Sequence, residues 1–137
     1  MAQMPQRVQR LFDDVSTAVL ATSTPDGKPN AAIAAFKTVL DDETVYISDQ
    51  MFWRTKENVQ ANPNVAIIFH SIKGAFQIHG TAEYVTEGEV FEAQKPLFDA
   101  ELHELGYDMF QARGGIIVHV DAVFDQAAGA NCGEQIA

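Results

Sequence analysis

Arg54 and Thr55 stand where a β-type segment gives way to a helical one, so a guanidinium, a hydroxyl and unpaired backbone N–H groups converge on one point. That combination makes an anion site, because the helix N-terminus adds partial positive charge to the arginine fork. A solvated arginine beside an ordinary threonine cap gives the same pattern. Lys37 is the other unusual base, since it interrupts an otherwise apolar segment. It either faces a ligand or snorkels to a rim. Alanines at 31, 32, 34 and 35 strip bulk from the same stretch. The backbone there is open to close approach by something flat, or to tight packing against a helix or another subunit. Trp53, beside Arg54, suits stacking on a planar ligand or burial in an interface.

Other chemistries find less support. His70, His79, His103 and His119 show no ligand-type local spacing, so hydrogen-bonded or rim histidines are expected. The single Cys132 can form no intramolecular disulfide, and no nucleophile and base pair is evident. Acids outnumber bases 19 to 9 for a net charge of −10, which argues against a nucleic-acid surface and against anionic lipid. No apolar run is long enough for a membrane span, and the first residues lack a leader pattern, so a cytoplasmic protein is expected.

The elements that must position these residues are short. With 137 residues, 47% hydrophobic and 20% charged, the chain suits one domain. Val8, Leu11, Phe12 and Val15 follow Pro5 at helical spacing and predict a helix over 5–14. Residues 17–22 read as a strand closed by a Pro25, Asp26, Gly27 turn, 31–40 as a single second strand, and 44–48 as a third. A helix of about two turns begins at Arg54 and stops at Asn62 and Pro63.

Residues 65–69 form a continuous apolar run that predicts a strand buried on both faces, and 75–85 alternate cleanly. A helix over 87–105 contains Pro96, which is expected to kink or divide it, and 115–124 make a last strand. The fold class is therefore mainly β, a six-stranded antiparallel barrel with inserted helices and Greek-key-like order. The domain is expected over 1–126, with 127–137 as a small-residue tail lacking a core of its own.

The stretch VYISDQMFWRTKENVQANPNVAIIF, residues 45–69, resembles the central signature of the pyridoxamine 5′-phosphate oxidase-like FMN-binding split barrels. The matching positions are Ile47 and Ser48, then Arg54 and Thr55, then Asn58, Asn62, Pro63 and Val65. VLATSTPDGKPNAAIA is similar to the family's first hairpin and QIHGTAEYV to its glycine-containing fifth strand, so the likeness spans about residues 8–125. The resemblance implies an FMN phosphate held by Arg54 and Thr55 with Lys37 reaching it. It also implies Ser48 and the backbone of 46–48 beside the ribityl chain or ring, and residues 32–37, including Ala34, Ala35 and Phe36, along the isoalloxazine. It implies a homodimer with the flavin at the subunit interface, acting with a small-molecule or protein electron donor or acceptor.

Departures narrow the expectation. Ala32 stands where pyridoxamine phosphate oxidases have an arginine and Ala75 where they have a glutamine, and the chain stops before their C-terminal substrate-binding region. An FMN-dependent oxidoreductase or electron-transfer protein of the short type is therefore expected, not a pyridoxamine phosphate oxidase. The alternative is a non-enzymatic split-barrel binder of haem, deazaflavin or another ligand.

Overall fold

A computed structural model describes residues 1–137. It has the order α1 (Gln6–Asp14), β1 (Ala18–Ser23), β2 (Pro29–Ala34), β3 (Lys37–Asp41), β4 (Thr44–Asp49), α2 (Arg54–Ala61), β5 (Asn64–Ser71), β6 (Gly74–Val85), α3 (Glu89–Glu104) and β7 (Gly114–Asp125). No helix is long and apolar enough to cross a membrane.

All seven strands join one antiparallel sheet in the order β2-β1-β5-β6-β7-β4-β3. β2 and β3 follow each other in sequence yet occupy opposite edges. Laid flat, those edges would lie roughly 29 Å apart at about 4.8 Å per strand, whereas the link through Ala35 and Phe36 spans about 10 Å at most. The sheet must curl until its edges meet, which makes the split barrel. The β3–β4 pairing extends one step into the link, where Ser48 N–H donates to the Phe36 carbonyl at 2.8 Å.

This seam between β2 and β3 corrects the strand count. Residues 31–40 form two strands, not one, because the chain leaves one edge at Ala34 and joins the other at Lys37. Two further expectations change. β5 alternates between buried and open positions, with Ile68 41% exposed, so it is covered on one face only. α3 runs unbroken through Pro96, whose exposed position lets water replace the lost backbone bond.

The main core fills the barrel, where Leu20, Ile47, Ile67, Ile78 and Val118 have zero exposure, and α1 plugs one end with Val8, Leu11 and Phe12. The Phe12 ring meets Phe69 edge-on at 5.3 Å. A second cluster lies outside the barrel, where α3 lays Phe98 over Tyr46 and Ile117. β4 is consequently buried on both faces from Val45 to Asp49, Val45 and Ile47 pointing in and Tyr46 lying under α3. The β6 to β7 register shifts between His79 and Gly80, where a Cβ on Gly80 would come within 2.5 Å of Val118 and 2.7 Å of the His119 carbonyl. The C-terminal residues fold back, with Ile136 N–H donating to the Val123 carbonyl at 2.8 Å.

Candidate functional site

A groove opens on the outer surface beside the seam, between the end of β2, the segment 50–53, the start of α2 and the end of α3. It comprises two adjoining hollows of about 460 and 440 Å³, taken below as its two halves, and Met51 and Phe52 line both.

One half is polar. Arg54 and Thr55 open α2 there, and Asn30 and Ala32 of β2 face them. Trp53 precedes the helix without a side-chain cap, which leaves its first backbone N–H groups to whatever enters. Thr55 is buried, and its Oγ1 accepts from Asn30 Nδ2 at 3.1 Å, so the hydroxyl hydrogen remains available for an anion. Arg54 is exposed and outside the three ion pairs of the molecule, Lys95–Asp99, His103–Asp108 and Arg113–Asp49. Glu57 brings one opposing carboxylate to this half.

The other half is apolar, lined by nine hydrophobic residues of eleven. Ile33, Ala35 and Phe36 form its barrel side, and Leu102, Tyr107 and Phe110 face them from the end of α3 and the following loop. Asp99 holds that loop by accepting the Ala112 N–H at 2.7 Å. Ser48 and Gln50 are its polar members, joined by a 2.6 Å bond from Gln50 Nε2 to Ser48 Oγ. A flat apolar body with an anionic arm fits this division.

Of the residues singled out from sequence, Arg54, Thr55 and Trp53 line the polar half and Ser48, Ala35 and Phe36 the apolar half. The other four are engaged elsewhere. Ala34 and Ile47 point into the core. Asn58 Nδ2 donates to Thr22 Oγ1 at 3.1 Å and so pins α2 to β1. Lys37 Nζ donates to the carbonyls of Phe12 at 2.5 Å and Val15 at 2.7 Å, satisfying the last turn of α1. It also lies 4.9 Å from the Phe12 ring centroid, and burial holds its ammonium below the usual lysine range despite Asp13 and Glu101 nearby. Asn30, Glu57 and the end of α3 escaped sequence reading, because only the tertiary fold brings them to Arg54 and Phe36.

The model of the pyridoxamine 5′-phosphate oxidase family matches residues 4–126. The chain belongs to that family. An uncharacterized protein of Methanocaldococcus jannaschii is 31% identical over 121 residues, covering 86% of this chain and 78% of that relative. The pyridoxine/pyridoxamine 5′-phosphate oxidase of Gluconobacter oxydans is 32% identical over 79 residues, covering 56% of this chain and 39% of that enzyme.

Among solved structures, HupZ of Group A Streptococcus superimposes with a TM-score of 0.79 at 26% identity, covering 95% of this chain and 99% of that one. An FMN-binding protein of Syntrophomonas wolfei gives a TM-score of 0.76 at 12% identity, covering 91% and 87%. The heme storage protein HutZ of Vibrio cholerae gives 0.68 at 18%, covering 90% and 95%. The last two likenesses establish the family fold alone.

Proposed function

We propose that the groove binds FMN and that the protein is a flavin-dependent oxidoreductase or electron-transfer protein. The observation that carries this reading is the adjacency of an uncapped helix start bearing Arg54 and Thr55 to an apolar slot, the two sharing Met51 and Phe52. The phosphate would lie against Arg54, the Thr55 hydroxyl and the first N–H groups of α2. The ring would lie along Ile33, Ala35 and Phe36. Bound FMN supplies the electron chemistry; the chain anchors, orients and shields it.

The apolar half contains no arginine, lysine or histidine, so within one subunit a phosphorylated second substrate finds no counter-charge there. A neutral small molecule or a protein is the expected redox partner. The groove's rim also leaves Ile33 61%, Met51 62% and Trp53 79% exposed. A second copy of the chain would cover these residues and complete the site as a homodimer. A haem reading has less support, since no histidine lines either half.

The test is a visible spectrum of the purified protein followed by titration with FMN and riboflavin. Absorbance in the 450 nm region with preference for FMN is expected; a colourless protein that binds neither would defeat the proposal.

A further inference from the structure

Asp49 ends β4 with zero exposure. A buried carboxylate is tolerated only when its oxygens are fully engaged. Here three donors from different parts of the chain meet them. Phe52 N–H donates to Oδ1 at 2.6 Å, and the Tyr84 hydroxyl of β6 donates to Oδ2 at 2.5 Å. Arg113 Nε, just before β7, donates to Oδ2 at 3.2 Å.

Arg113 then completes a clamp. One of its terminal nitrogens donates to the Phe52 carbonyl, and its own N–H bonds to the Asp49 carbonyl at 2.9 Å. Both main-chain polar groups of Phe52 are therefore held by a single ion pair. Residues 50–53 belong to no helix or strand, so no ladder supports them otherwise. Yet Met51 and Phe52 form the wall common to both halves of the groove, and the segment delivers Arg54.

We propose that Asp49 and Arg113 are positioning residues for the ligand. By gripping Phe52 they set the spacing between the anion end and the ring end, and so the preference for a phosphorylated flavin over a shorter one. This rests on the FMN reading above. Tyr84 shares the carboxylate but makes no hydrogen bond to the segment. Its ring packs instead under Lys56 Nζ of α2, 5.0 Å from the centroid.

The difference between these partners supplies the test, made on the full chain with Asp49→Asn, Arg113→Ala and Tyr84→Phe. Flavin fluorescence titration should show FMN affinity reduced about tenfold by the first two and changed less than about twofold by the third. Melting temperature should fall in all three. Affinity that follows melting temperature across all three variants, or that stays at the wild-type value, would overturn the proposal.

If Asp49→Asn does not fold, Arg113→Ala decides, because that side chain is 47% exposed. Hydrogen exchange at the Phe52 amide, measured without flavin, should accelerate in the Asp49 and Arg113 variants and not in Tyr84→Phe. A wild type that binds no FMN defeats the flavin reading, and exchange then decides whether the pair holds the wall. Unchanged exchange overturns the positioning proposal.

Discussion

Asn30 of β2 donates its side-chain N–H to the Thr55 hydroxyl at 3.1 Å, tying an edge strand to the first turn of α2 across 25 residues of sequence. The bond makes the hydroxyl an acceptor toward Asn30 and leaves its hydrogen free to donate. It also places the uncommitted Arg54 beside a prepared set of N–H and O–H donors.

Replacing Arg54 with alanine should separate the two ends of the site. FMN affinity is expected to fall about tenfold to a hundredfold, the magnitude of a lost charge-assisted hydrogen bond, while riboflavin binding is unaffected. Parallel titrations with the two flavins measure this. An equal loss for both would place Arg54 outside the phosphate site.

Glu57 acts in the opposite direction. Its carboxylate lines the polar half and repels an anion there. Glu57→Gln should tighten FMN by about threefold at low ionic strength, and added salt should shrink the gain. Weaker binding in the variant would show that Glu57 supports the site.

Lys37→Met addresses a residue that family resemblance places on the phosphate. In the structure its ammonium instead satisfies two carbonyls at the end of α1. The variant should lose about 1–3 kcal/mol of stability in urea while FMN affinity shifts less than about twofold. A selective loss of affinity with unchanged stability would assign Lys37 the phosphate role.

Tyr46 predicts an alkaline limit. Burial, with Asp49 nearby, pushes its hydroxyl up to about 12, and that buried oxygen has no hydrogen-bond partner. The unfolded chain gives up this proton near pH 10, whereas the folded state retains it to about 12. Stability is therefore complete below pH 10 and falls between about 10 and 12. Tyr46→Phe should lessen the decline, leaving the share of Tyr84, whose hydroxyl burial and Asp49 also push up, and leave neutral stability unchanged or slightly higher, since it removes an unsatisfied group. Denaturant melts from pH 8 to 11 measure both effects. Gly115→Ala should be far more damaging, because a Cβ there would come within 2.0 Å of the same hydroxyl.

Local patterns carried much of the fold. Alternation in β6, the helix-stopping Asn62 and Pro63, and the apolar stripe of α1 all mark elements that form where expected. What escaped was set by distance along the chain. Residues 31–40 are continuously β-compatible, and their division at Ala35 and Phe36 exists only because β2 and β3 lie on opposite edges. The site divides in the same way. Arg54 and Thr55 were legible because a helix start is a local event. The partners of Lys37 are 22 and 25 residues away, and Arg113 is 64 from Asp49, so sequence spacing could not reveal them.

The seam between β2 and β3 gives the groove a mechanical meaning. Hydrogen bonding runs around the barrel wall from β2 to β3, and between those two edges no strand pairing closes the circle, only the covalent link through Ala35 and Phe36. A molecule lying against Ile33, Phe36 and Ser48 would act as a clasp over that gap, so the wall would breathe most when the clasp is gone, and release of the occupant and loosening of the girdle would be one event.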